Sequence, residues 1–283
     1  LIGGATITNK VRNNTDTVQT VTIKLNPGEE ARKTTARQRR SFREREEHTG
    51  RTKEFTFADI SELDAVISAL TTAQCGYLLV LQCYVGYDDG RLVDVDKRAL
   101  TTAQMMDVLQ LKRKRQTFYD FLTVTLDNGI LTKNDDGSYC VNPRYHFRGA
   151  TQNRAVIRSY TAKVRHIYRE VNAADIGLMY RMLPYVHYGT NALCANPTET
   201  DPLKIRWLNG KELAEVIGVH EKSLSRSLPH MKFGGEYVIA RLKFGSGNEP
   251  ARYFFNPNVF YRKSTTPDDT LLAMFNVGYR TKR

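Results

Sequence analysis

Leu100-Thr101-Thr102-Ala103-Gln104-Met105-Met106-Asp107-Val108-Leu109 and Leu208-Asn209-Gly210-Lys211-Glu212-Leu213-Ala214-Glu215-Val216-Ile217-Gly218 are two versions of one phrase. Each opens on a side chain suited to cap a helix, Thr101 or Asn209, followed three residues on by Gln104 or Glu212. That spacing is a capping box: the first side chain accepts from the N3 amide, and the N3 side chain reaches back to the cap amide. Met105, Val108 and Leu109, and again Leu213, Val216 and Ile217, recur at helical spacing and predict one buried face in each copy.

The correspondence extends outward from both phrases. Downstream, a short turn (residues 111–113 and 218–219) leads to a second helix. The first such helix is expected over residues 114–128, with Phe118, Phe121, Leu122 and Leu126 inward; the second starts near Glu221 and stops or kinks at Pro229. A β-hairpin follows each. In the first copy it turns at Asn134-Asp135-Asp136-Gly137, an Asp-Gly turn between apolar runs. In the second, residues 237–244 and 251–255 flank a longer turn. Both hairpins end on Asn-Pro, at Asn142-Pro143 and Asn256-Pro257, then run at identical spacing to Phe147-Arg148 and Tyr261-Arg262. Proline cannot donate to a ladder and restricts its predecessor, so the pair stops a strand. Upstream, each copy opens on an apolar helix, residues 75–85 and 176–183, the latter running on to Tyr185 and Val186. A polar connection follows each, over residues 86–98 and 189–206.

Helix, loop, helix, turn, helix, hairpin is the order of a winged helix. The expected fold is therefore α+β, mainly α: two tandem winged helix-turn-helix domains with an N-terminal basic extension. The boundaries read as a strand segment and basic arm over 1–57, a first domain over 58–150, a basic linker helix over 151–170, a second domain over 171–265 and a tail over 266–283. Within the arm, β-branched residues 17–25 favour a strand and Asn26-Pro27-Gly28 a turn. Residues 29–57 are rich in cations and poor in apolar side chains until Phe55 and Phe57.

Composition sets the partner class. Lys plus Arg number 42 against 30 Asp plus Glu, a net charge of +12, which favours polyanions through counterion release. The four cysteines form no CxxC pair and have no His at zinc-finger spacing, so they read as free thiols in a reducing compartment with no metal and no cofactor. The chain starts without Met, which places the true N-terminus upstream, and residues 1–10 lack the pattern of a signal peptide. No apolar run reaches membrane-spanning length. These readings point to a cytoplasmic protein, with double-stranded DNA as partner and no membrane.

A helix-turn-helix lays its second helix in the major groove, where base edges carry a unique donor and acceptor pattern. The first copy offers Lys112, Arg113, Lys114, Arg115, Gln116, Thr117 and Tyr119 there; the second offers Lys222, Ser223, Ser225 and Arg226, beside His220 and Glu221. Arg suits guanine and Gln suits adenine, while all of these also suit phosphates. Lys133, Arg241 and Lys243 on the hairpins, with Arg144 beyond the first, are candidates for the adjacent backbone, and Arg37, Arg39 and Arg40 for a minor-groove arm.

Phe118-Tyr119-Asp120-Phe121-Leu122 through Asn128-Gly129-Ile130-Leu131, then Tyr139-Cys140-Val141-Asn142-Pro143 and Phe147-Arg148-Gly149, resembles plasmid replication proteins of the RepL type. MarR-type regulators share the same grammar. The resemblance spans about 50 residues of the first copy and implies a phage or plasmid setting, and with it the bacterial cytoplasm or nucleoid. The second copy lacks the Gly after Arg262 and has a longer hairpin turn. The tandem plan is similar to theta-plasmid initiators, in which one unit binds DNA and the other dimerises. Transcription regulation and replication initiation both remain open. An assembly protein is the alternative, with the apolar helix at 176–188 serving a homodimer. An enzyme is disfavoured because no HExxH, Walker or paired-carboxylate pattern is present.

Overall fold

Both capping boxes close as the spacing predicts. The Thr101 amide donates to Gln104 Oε1 (2.8 Å) and the Gln104 amide to Thr101 Oγ1 (3.2 Å). The Asn209 amide donates to Glu212 Oε2 (2.9 Å) and the Glu212 amide to Asn209 Oδ1 (3.0 Å). A third box at Thr71 and Gln74 caps the first apolar helix. The computed structural model describes residues 6–12, 18–24, 54–87, 89–233, 235–243 and 250–276, and these are α+β.

Strands β1 (Thr6–Arg12) and β2 (Val18–Lys24) form an antiparallel hairpin within one compact unit, residues 1–45. The expected strand over 17–25 is thus β2, while the Asn26-Pro27-Gly28 turn and Arg37, Arg39 and Arg40 lie outside the described residues. Residues 46–283 form the other unit. It starts with β3 (Phe55–Asp59), α1 (Leu63–Ala69) and α2 (Thr72–Leu81). Next come α3 (Thr102–Val108), α4 (Arg115–Asp127), the hairpin β4 (Leu131–Lys133) and β5 (Tyr139–Val141), and the short β6 (His146–Phe147). The same order then recurs as β7 (Val156–Tyr160), α5 (Thr161–Glu170), α6 (Ala173–Met182), α7 (Gly210–Val216) and α8 (Glu221–Ser227). It continues through β8 (Lys232–Phe233), β9 (Glu236–Tyr237), β10 (Ile239–Leu242), β11 (Arg252–Phe255) and β12 (Phe260–Tyr261), and α9 (Asp269–Asn276) closes the described chain.

The recurrence holds at the level of single hydrogen bonds. Leu92 donates to the Tyr139 carbonyl and Leu193 to that of Tyr253, so each "polar connection" supplies a third strand segment to its hairpin. Asn142 donates to Ile130, and Asn256 to Val238. Gly90 and Asn191 both take the left-handed conformation at equivalent turns (φ 70° and 59°), which glycine and asparagine tolerate.

Three expectations about the fold are corrected. Residues 151–170 are not a linker helix: β7 is a buried strand, and only 161–170 is helical. The N-terminal arm does not reach residue 57, because β3 is buried in the core. β3 pairs antiparallel with β7, Phe57 opposite Arg158, in a four-stranded sheet of order β12-β7-β3-β6. The two copies share this sheet instead of being joined by a tether. Val216, expected to face inward, is 38% exposed; Leu213, Ala214 and Ile217 form the inner face.

The main seam between copies is α2 against α6. Gly76 and Gly177 sit where the helices meet: a Cβ on Gly76 would lie 2.0 Å from the Ala173 carbonyl oxygen, and one on Gly177 1.6 Å from that of Thr72. Only glycine permits so close an approach. Arg181 reinforces the seam by donating to the carbonyls of Ile67 and Leu70 at the end of α1 and to Ile217 at the end of α7. A cation suits those helix C-termini.

Candidate nucleic-acid interface

In each copy, a tight turn places the second helix of the pair at the surface. Gln110 (φ 56°) and Gly218 (φ 69°) take the left-handed conformation at equivalent positions after α3 and α7. The chain then re-enters a helix, α4 or α8, whose inward side chains are fixed by the core. On α4 these are Phe118, Phe121 and Leu122, with Leu126 partly buried against the same cluster; on α8, Leu224 is inward. Burying Phe118 and Phe121 forces the opposite face of α4 into solvent. Lys112, Arg113, Lys114, Arg115, Gln116, Thr117 and Tyr119 are all exposed.

The electrostatics of this start are unfavourable without a partner. A helix N-terminus carries partial positive charge, and cations there cost about 0.3–1 kcal/mol each at low salt. Four consecutive cations lead into α4, and its Lys114 cap position makes no side-chain capping bond. Lys112 is paired, with Nζ 2.6 Å from Asp107. Gln116 is tied to Asp120 Oδ1 at 2.7 Å. Arg113, Lys114 and Arg115 have no ion-pair partner among the described residues. An external anion would remove the penalty.

The second copy is built differently. His220 caps α8, its Nδ1 accepting from the Lys222 amide at 3.2 Å, and Glu221 supplies the negative charge that a helix start favours. Lys222, Ser223, Ser225 and Arg226 are exposed. The helix ends after seven residues, and Pro229 continues it as a 3₁₀ turn over Leu228–His230.

The hairpins add unequal edges. Lys133 is exposed, 5.9 Å from the Tyr139 ring centroid. At the tip of that hairpin Asp136 pairs with Arg91 at 2.8 Å. Hydrogen bonds from Ser138, then Arg91, pull the Asp136 carboxyl down to about 2, which keeps it ionised against Arg91. Arg241 and Lys243 are exposed on the second hairpin, whose turn, 244–249, lies outside the described residues. Arg144 is engaged within the protein: its Nε lies 2.6 Å from Glu62, and its guanidinium 5.7 Å from the Tyr145 ring centroid.

Helix 176–188 was expected to offer a dimer surface. Ile176, Leu178, Met179, Tyr180, Met182 and Leu183 are instead buried within the chain, so that face is already occupied. Sequence reasoning also missed the buried arginines Arg158 and Arg262, although Arg148 and Arg262 stand at the same step after the two Asn-Pro pairs. Among the described residues, no helix is long and apolar enough to cross a membrane. No family model matches this chain, and no curated protein or solved structure does either.

Proposed function

We propose that this chain is a sequence-specific double-stranded DNA-binding protein in which each copy is a winged helix-turn-helix, acting in transcription regulation or replication initiation of a phage or plasmid in the bacterial cytoplasm. α4 is the principal reading helix and α8 the secondary one. The observation that carries this reading is the exposed run Arg113, Lys114 and Arg115. These cations have no internal counter-charge among the described residues, and they stand at the start of a helix whose other face is locked into the core. Such cations neutralise phosphates and reach guanine edges. Lys133, Arg241 and Lys243 extend the contact to neighbouring backbone.

The test is selection of duplexes from a random pool, followed by binding of the enriched duplex across a salt series. Each phosphate contact contributes about 0.9 to the slope of log affinity against log salt, so replacing both Arg113 and Arg115 by Ala lowers the slope by about 2. Arg144→Ala, which removes an internal ion pair, leaves it unchanged. Failure to enrich any sequence refutes specific recognition, and an unchanged slope in the double variant refutes the role given to α4.

A further inference from the structure

The duplicated scaffold makes two open cavities beside equivalent arginines. The one at Arg148, about 720 Å³, mixes Arg91, Lys97, Arg148 and Arg165 with the carboxylates of Glu54, Asp89 and Asp94. The one at Arg262, about 430 Å³, is lined by Arg154, Arg158 and Arg262 with Thr151, Tyr188 and Ser264, and no Asp or Glu stands among its described lining residues. The same architecture therefore offsets most of its positive charge with carboxylates in one copy and has none among the described lining residues in the other.

Arg262 is 4% exposed. Its Nη1 donates to the carbonyls of Val186 (2.9 Å) and Pro197 (3.0 Å), and its Nη2 to that of Arg154 (3.1 Å). Its guanidinium lies 5.5 Å from the Tyr188 ring centroid, and its buried Nε has no hydrogen-bond partner. All these acceptors are neutral. Burial pulls the guanidinium down to about 10, which leaves it charged at neutral pH. Arg158 is equally buried, donates to the Lys263 carbonyl and lies over the Phe55 and Phe57 rings. Arg154 is exposed at the same cavity. A buried cation whose acceptors are all neutral, as at Arg262, is costly unless an anion shares the site. Guanidinium forks match phosphoryl oxygens in geometry as well as charge.

We propose that this cavity binds a phosphoryl group, with Arg262 and Arg158 as the fixed floor and Arg154 as the movable arm. The group is either a free phosphate or nucleotide, or a phosphate of a nucleic-acid backbone; the site does not depend on the DNA-binding reading.

The experiment is calorimetric titration of the full chain with inorganic phosphate against chloride at constant ionic strength. Saturable binding is expected, weakened about tenfold by Arg154→Ala combined with Ser264→Ala, two exposed positions whose loss spares the Arg262 carbonyl bonds. Absence of saturable binding by tens of millimolar phosphate overturns the proposal in the wild-type chain alone, as does equal binding by the variant. Two further arms separate the sources. A nucleoside monophosphate that outbinds inorganic phosphate identifies a free nucleotide. Phosphate that weakens duplex binding in the wild type but not in the variant identifies the backbone. Phosphate binding without any duplex binding keeps this site and removes the DNA reading.

Discussion

Gly177→Ala tests the seam on which the relative placement of α4 and α8 rests. In an ordinary helix interior this substitution stabilises by about 0.5–1 kcal/mol, because alanine loses less backbone entropy. Here the added Cβ would stand 1.6 Å from the Thr72 carbonyl oxygen and 2.6 Å from its carbon, against the 3.0 Å below which real Cβ atoms essentially never approach. The obstacle is backbone, so no rotamer change relieves it, and α2 and α6 must separate. A radial gap of about 0.5–1 Å forfeits roughly a quarter to a half of each dispersion contact. The helices involved are lined by Leu78, Leu79, Ile176 and Met179, all buried. The expected result is a loss of about 3–5 kcal/mol, opposite in sign to helix propensity. Urea unfolding followed by circular dichroism measures it, and Gly76→Ala, whose Cβ meets the Ala173 carbonyl at 2.0 Å, gives a comparable loss. Gly137→Ala is the control: nothing lies within 4 Å of its added Cβ, and only the positive φ of 79° opposes it, at about 1 kcal/mol. Neutral or stabilising behaviour of both Gly76→Ala and Gly177→Ala would mean that the two helices do not cross there.

Three further outcomes follow from buried groups. Burial holds the His146 imidazole down to about 3, against 6.5 in a free side chain. The folded chain therefore keeps it neutral while the unfolded chain takes a proton, so stability falls as pH drops from about 6.5 towards 3, by about 2 kcal/mol at pH 5; His146→Gln, which can still meet the Tyr180 hydroxyl, flattens that part of the stability–pH curve, and a parallel curve would count against the assignment. Arg181→Met leaves the carbonyls of Ile67, Leu70 and Ile217 without their donor and costs about 3 kcal/mol by denaturant titration; a loss under about 1 kcal/mol would show the staple to be ornamental. Burial pushes the thiols of Cys75 and Cys194 up to about 11 and that of Cys83 to about 12, whereas Cys140 is partly exposed; a thiol reagent at pH 8 labels Cys140 first in the native chain, and prompt labelling of a second thiol would contradict the packing.

What was readable in the residues, and what was not, divides along the range of the interactions. The capping boxes at Thr101 and Asn209, the Asn134–Gly137 turn and the breaks at Asn142-Pro143 and Asn256-Pro257 are local devices, satisfied within a few residues, and each forms where its spacing places it. The pairing of β3 with β7 joins residues about a hundred positions apart, and β7 is buried on both faces over Val156, Ile157, Arg158 and Ser159, so it shows no alternation to distinguish it from the helix that follows. One long-range signal was present. Gly76 and Gly177 each interrupt an apolar helix, where glycine costs about 1 kcal/mol and calls for a packing reason. Their equivalence would have paired α2 with α6 inside one chain and withdrawn the 176–188 helix from the list of dimer surfaces. The candidate site follows the same division. The charge run at 112–115 was legible because consecutive cations are local. That Lys112 is bound to Asp107 and Arg144 to Glu62, leaving Arg113, Lys114 and Arg115 as the free cations of that run among the described residues, depends on where the fold brings the carboxylates. The core residues keep both copies in one geometry while the exposed helices differ: α4 starts behind uncapped cations, and α8 caps itself with His220 and carries Glu221. If the chain binds duplex as proposed, exchanging Glu221 for Lys strengthens that binding through α8 and steepens its salt dependence by up to about 1, since it removes the carboxylate in the first turn of that helix and adds a phosphate partner. An unchanged slope on the enriched duplex would show that α8 stays clear of the DNA and that the first copy binds alone.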